Sequence, residues 1–166
     1  MDNERLLRMT GFIIKKFEGL HKLGKDGLIY PYLCPTGYPT QGWGIRVASL
    51  KVPPITREQA DLQLDKVLPI YINGALRQCP NLASEHEGRL AAVASWTYNL
   101  GETALAGSTF RKKILAEDWE SAAVECKKWR NGRINGVLTV LPGLVTRRAL
   151  EAEFLLNPEV YENVGY

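Results

Sequence analysis

The sequence predicts an α+β chain that is mostly helical, with a small β-hairpin lobe near the front and a helical lobe making up the rest. Three observations carry this. Apolar residues recur at steps of three and four over the first stretch; the composition from Leu28 to Val47 turns to Tyr, Pro, Gly and Thr; and capped, helix-periodic segments fill the chain from Thr56 onward. At 166 residues, 45% hydrophobic and 23% charged, the chain fits one domain able to bury a core. The expected layout is a single domain over 1–166, with an N-terminal helix over about 3–20, a β lobe over about 28–50 and a helical lobe over about 56–166.

In the first helix Leu6, Met9, Ile13, Phe17 and Leu20 form the apolar stripe, and Asp2 or Asn3 can cap it. Gly19, Gly24 and Gly27 then break the pattern, so Glu18 falls in or near the last turn. Pro31, Pro35 and Pro39 exclude a helix in the next segment, which reads as short strands and tight turns closed by Pro53-Pro54. Thr56 with Gln59 is a capping box opening a helix that carries Ala60, Leu64, Val67, Leu68 and Ile72, and Pro69 is expected to kink it or end its first half. Ser84 with Glu87 is read as the opening of the next helix, which runs to Leu100 and stops at Gly101. The run from Leu90 to Trp96 is apolar on nearly every face, the pattern of a central buried helix. Two short helices follow, from about Ser108 and from a cap at Asp118, and a last one begins at Pro142 and ends before Pro158.

The net charge of +3 suits a polyanionic partner but is too small to argue for nucleic acid, and no aromatic-plus-basic repeat supports that class. No stretch approaches the roughly 20 apolar residues needed to cross a bilayer. Met1-Asp2-Asn3-Glu4-Arg5 lacks the basic region and apolar run of a signal peptide, so the protein is expected to start in the cytoplasm without stable membrane association. Cys34, Cys79 and Cys126 are an odd set without metal-ligand spacing and read as reduced thiols. His21 and His86, the two histidines, have no acidic or Cys cluster around them, so a zinc centre is poorly supported.

The residues that could carry chemistry lie in Phe17-Glu18-Gly19-Leu20 and in the turn Tyr32-Leu33-Cys34-Pro35-Thr36-Gly37-Tyr38-Pro39-Thr40-Gln41-Gly42-Trp43-Gly44. One carboxylate ends an amphipathic helix, and a glycine- and aromatic-rich turn follows with a thiol and a hydroxyl that have five residues between them. That layout suits hydrolysis of a sugar-to-sugar bond, where an acid protonates the leaving oxygen and a second polar cluster handles water. Glu18 at the negative end of the helix macrodipole, beside Phe17, Tyr32, Tyr38 and Trp43, is expected to favour its protonated form, as a general acid requires. Taken singly, Glu18 is an ordinary solvent-facing helix residue, Cys34 a small buried hydrophobe and Thr40 a turn residue.

Further motifs add to these in order: Trp96-Thr-Tyr-Asn-Leu-Gly101, Ala106-Gly-Ser-Thr109, Asp118-Trp-Glu-Ser-Ala-Ala123, Trp129 and Leu141-Pro-Gly-Leu-Val-Thr-Arg-Arg148. Over about residues 5–156 the chain resembles the phage-type lysozymes (endolysins), glycoside hydrolase family 24. The resemblance implies a lysozyme-like fold and a muramidase that cleaves the β-1,4 bond between N-acetylmuramic acid and N-acetylglucosamine in peptidoglycan, for host cell lysis. It implies Glu18, Cys34 and Thr40 as catalytic residues. Glu18 is the general acid, and Thr40 with Cys34 positions water or stabilises charge. It further implies that Tyr38, Gln41, Trp43, Tyr98 and Asn99 contact substrate, with no metal or cofactor. The partners implied are peptidoglycan glycan strands, for a monomer that waits in the host cytoplasm until a holin-like lesion releases it. Arg147 and Arg148 either contact the peptide stem or solvate the final helix, the second being the simpler reading.

The chain departs from the family pattern in three places. Fifteen residues separate Glu18 from Cys34 where the family has eight, and the extra segment, about 21–30, contains Lys22, Lys25 and Asp26. Asp26 is therefore a rival for the second catalytic position, although the register with Thr40 and Gly42 favours Cys34. Gly24 and Gly27 suggest a flexible, positively charged excursion at the rim of the cleft. Gly44-Ile45-Arg46 stands where many relatives carry His, and Pro69 interrupts the connecting helix. Two other classes stay open: a catalytically inactive cell-wall-binding module, and a Cys-dependent peptidoglycan peptidase using Cys34 with His21 or His86.

Overall fold

A computed structural model describes residues 1–34 and 37–164; Pro35 and Thr36 of the glycine-rich turn lie outside the described residues. Helix α1, Asn3–Glu18, starts where the Asp2 carboxylate accepts the N–H groups of Glu4 and Arg5, and its stripe of Leu6, Met9, Ile13 and Ile14 is buried. Each such side chain contributes about 1.5–3 kcal/mol by leaving water. Three short antiparallel strands follow: β1, Tyr32–Leu33; β2, Pro39–Gln41; and β3, Ile45–Arg46. Tyr32 pairs with Thr40, and Thr40 in turn with Arg46.

The added segment is not a loose excursion. Bridges join Leu23 to Ile29 and Ile29 to Ile55, and the Gly24 N–H donates to Leu28 O at 2.8 Å. Ile29 is fully buried, so the insertion is a small hairpin pinned to the core by one aliphatic side chain. Its Asp26 accepts from the Tyr30 hydroxyl at 2.7 Å and the Leu28 N–H at 3.0 Å, and these bonds hold its carboxyl below the ordinary range.

Helix α2, Arg57–Gln78, opens on the Thr56/Gln59 capping box. It runs unbroken through Pro69, so the proline does not end its first half; packing against its neighbours outweighs the one missing hydrogen bond. A 3₁₀ turn, Pro80–Ser84, precedes α3, Glu87–Leu100. Ser84 ends that turn rather than capping α3; the cap is His86, whose ring nitrogen accepts the Gly88 N–H, while Glu87 reaches back to Asp2 and Arg5. Leu90, Ala91, Val93, Ala94 and Trp96 are all fully buried, making α3 the axis of the helical lobe.

A short helix absent from the sequence reading, α4, Glu102–Ala106, comes next, followed by α5, Thr109–Leu115, and α6, Trp119–Lys127, capped by Ser108 and Asp118. Strands β4, Asn131–Ile134, and β5, Val137–Val140, form a second hairpin that the sequence reading did not anticipate. Helix α7, Pro142–Leu156, closes the lobe with Pro at its first turn. Ile29 and Trp43 from the front join the buried residues of α1, α2, α3 and α7 in one apolar cluster. None of the three cysteines forms a disulfide, and burial pushes the Cys79 thiol up to about 11 and the Cys126 thiol well above its ordinary value. No helix among the described residues is long and apolar enough to cross a membrane.

Candidate active site

Helix α1 ends at Glu18 because Gly19 takes φ of 62°, a conformation that turns the chain toward the front lobe. The Glu18 carboxylate emerges into a cavity of about 590 Å³ shared with Phe17, His21, Tyr32, Cys34 and Thr40. Gly44 and Arg46 join it to a second cavity of about 530 Å³ reaching Tyr71 and Tyr98. A third, of about 230 Å³, shares Phe17 and Glu18 and extends along Asn99, Leu144 and Arg147. Together they make one groove with Glu18 at its middle. A separate apolar groove between α1 and α2, lined by Leu6, Leu7, Pro69 and Ile72 with Asn3 and Asn73, holds no titratable side chain.

Gly44 is required by this geometry. Its φ is 93°, and a Cβ there would lie 2.9 Å from Glu18 Oε2. Only a residue without a side chain lets the turn pass so close to the carboxylate.

The neighbour that the sequence reading missed is Arg147. Its Nη1 donates to Glu18 Oε1 at 2.6 Å, its Nε to Glu151 at 3.2 Å, and its Nη2 to the backbone and hydroxyl oxygens of Ser95. Glu151 also accepts the Ser95 hydroxyl at 2.7 Å and pairs with Arg148 at 3.1 Å, while Arg148 donates to Asn99 at 2.8 Å. Arg147, Arg148 and Glu151 are buried, so neither arginine solvates the final helix. Two buried cations would be untenable without anions beside them, and Glu18 and Glu151 supply these. The surroundings of Glu18 are thus aromatic on one side and ionic on the other.

The other expected site residues fall into two groups. Cys34 and Thr40 line the Glu18 cavity, with the Cys34 N–H bonded to Tyr38 O and the Thr40 hydroxyl donating to the same carbonyl at 3.0 Å. That bond uses the one hydroxyl proton and leaves the oxygen an acceptor. Tyr38 is exposed, with the Arg46 guanidinium over its ring. Tyr98 and Asn99 line the flanking cavities. The Tyr98 hydroxyl is already given to Trp43 O at 2.8 Å; burial first, then the Glu18 charge, pushes that phenol far up, so it stays neutral.

Gln41 and Trp43 do not face the groove. Gln41 is buried and its amide nitrogen bonds the carbonyls of Ile29 and Pro53, tying the insertion to the lobe. Trp43 is buried with its indole N–H on Asp61. These bonds hold both side chains away from the groove. Asp26 is absent from the residues lining the groove. Among the described residues no group of His, Cys, Asp and Glu could hold a metal ion. The arrangement offers one carboxyl group in a groove, with a hydroxyl and a thiol on the facing lobe.

The sequence profile of the phage lysozyme family matches residues 15–151. An endolysin of Acyrthosiphon pisum secondary endosymbiont phage 1 is 32% identical over 142 residues, covering 84% of this chain and 89% of its own. The chain belongs to the phage lysozyme family. An endolysin from Escherichia coli O157:H7 phage FAHEc1 shares its structure at a TM-score of 0.75 and 29% identity, over 91% of this chain and 92% of that one. The muramidase domain of SpmX from Asticaccaulis excentricus gives a TM-score of 0.76 at 24% identity, over 91% and 97%, a likeness of fold alone. The fold is lysozyme-like α+β, and the protein is a glycoside hydrolase of the lysozyme class, a family that acts on peptidoglycan.

Proposed function

We propose that this endolysin muramidase hydrolyses the β-1,4 bond between N-acetylmuramic acid and N-acetylglucosamine, with Glu18 as general acid. One observation carries the reading: a carboxyl group at the end of α1, gripped by a buried guanidinium, opens into the groove that Thr40 and Cys34 share. Glu18 protonates the leaving oxygen as positive charge develops on the sugar ring. The Thr40 oxygen, its proton committed to Tyr38 O, accepts a hydrogen bond from the attacking water and orients it. As the water oxygen bonds to the sugar carbon its proton passes to solvent, from which Glu18 is reprotonated, and Cys34 lines the same cavity. Tyr38, Tyr98 and Asn99 border the path of the strand.

Residues 1–166 act as one lysozyme-like domain and as a monomer. As a phage lysis enzyme it collects in the host cytoplasm and reaches the wall once a holin-like lesion opens the membrane. Mass spectrometry of digested peptidoglycan tests the reading. New reducing ends at muramic acid support it; new amino groups would make the protein a peptidase, and neither product would make it a binding module. In a Gram-negative host, expression should be harmless until chloroform breaches the membrane.

A further inference from the structure

Arg46 stands out in the groove. It lies on β3 opposite Thr40, and it lines both of the larger cavities, on either side of Gly44. Its guanidinium carbon sits 3.6 Å over the Tyr38 ring. Tyr71, farther along, feels the charges of both Arg46 and Glu18. Among the described residues Arg46 forms no ion pair, whereas Arg147, the other arginine of the groove, is matched by Glu18 and Glu151.

A guanidinium held over an aromatic ring is steadied on its face and keeps its edge N–H groups, which fit the two oxygens of a carboxylate. Where the muramyl lactyl group is amide-linked to a stem, the N-acetylated glycan is neutral and gives such a cation nothing to pair with. The free carboxylates of stem-bearing peptidoglycan lie on the peptide stems that branch from the muramyl residues.

We propose that Arg46, steadied on Tyr38, binds a carboxylate of the peptide stem. The inference rests on the muramidase reading above. Arg46 touches substrate but takes no part in bond cleavage, so its contribution is to binding and appears in KM rather than kcat. Charge-assisted bonds at an accessible site are modest, and the expected effect is about tenfold.

The test compares purified walls with native stems and walls whose carboxyl groups have been converted to amides, reading reducing ends for the wild type, Arg46→Gln and Arg46→Lys. On native wall Arg46→Gln should raise KM about tenfold with kcat within about twofold, and Arg46→Lys should recover part of the loss. On amidated wall the wild type and Arg46→Gln should be alike. Equal losses on both walls would reduce Arg46 to a packing partner of Tyr38, and no loss on either would make it a solvated surface charge; both overturn the proposal. Failure of the wild type to release reducing ends from any wall defeats the muramidase reading instead. Thermal melts of the variants keep misfolding apart from either outcome.

Discussion

The Arg147 guanidinium and the Glu18 carboxylate meet at 2.6 Å across 129 residues of sequence, joining the first helix to the last at the middle of the groove. Arg147 is 2% exposed and every nitrogen of its guanidinium is engaged, so the contact fixes where the Glu18 carboxyl group points. A general acid depends on such placement, because a misplacement of about 1 Å can cost about a hundredfold in rate.

Arg147→Lys should therefore lose at least tenfold in turnover per folded molecule, since one ammonium cannot serve Glu18, Glu151 and Ser95 together. Arg148→Lys is the control: it disturbs the same buried cluster through Glu151 and Asn99 but leaves the Glu18 contact. Both variants should melt lower, with stability losses of about 1–3 kcal/mol. Equal activity in the two at matched folded concentration would remove the special role of Arg147.

Cys34 and Asp26 can be set against each other directly. Cys34 lines the Glu18 cavity, whereas Asp26 closes its own hairpin through Tyr30 and Leu28. Cys34→Ala should reduce turnover several-fold, and Asp26→Asn should leave it near wild type. An inactive Asp26→Asn beside an active Cys34→Ala would mean that the insertion is misaligned.

The anomeric outcome follows from counting carboxyl groups. Glu18 is the one carboxylate among the described residues lining the groove, so no second carboxylate stands ready to form a glycosyl ester. Water should attack the sugar directly and invert its configuration. Proton NMR of the first product reads this, and a retained anomer would point to participation by the substrate's own acetamido group.

Much of this fold was legible because its signals are local. The caps at Asp2, Thr56, Ser108 and Asp118, and Pro142 at a helix start, each act within a few residues of themselves. The β4–β5 hairpin has a local signal too: Asn135-Gly136, both at positive φ, sits between Ile134 and Val137, a dipeptide that favours a tight turn. Glu18 at the end of α1 was visible for the same local reason. The Arg147–Glu18 contact was not, since no spacing encodes a pairing between the two ends of a chain; the available hint was an arginine four residues before a glutamate on an apolar helix face. The direction of Gln41 and Trp43 was not legible, since their partners Ile29, Pro53 and Asp61 lie 12 to 18 residues away in sequence.

Acid stability gives a test away from the site. Burial of Glu87 opposes its ionisation, but the Asp2 N–H at 2.5 Å and the Arg5 guanidinium outweigh this and hold the carboxyl down to about 2, against 4.5 ordinarily. A depressed carboxyl contributes stability that is complete above its unfolded value and is lost as pH falls through the folded one. The loss should therefore run from about pH 4.5 toward 2, amounting to up to about 3 kcal/mol. Glu102, also near 2 beside Arg77, is more exposed and contributes little. Urea unfolding of Glu87→Gln should give a flatter dependence on pH in this window, and a slope equal to that of the wild type would assign the acid sensitivity to other groups.

The most direct measurement is the rate of reducing-end release from purified peptidoglycan by Glu18→Gln. The amide oxygen can still accept from Arg147 Nη1, so the groove is preserved while the transferable proton is lost. With melting behaviour near that of the wild type, turnover should fall roughly 10²–10⁴-fold or more. A folded Glu18→Gln protein that cleaves the wall at near the wild-type rate would contradict Glu18 as the general acid.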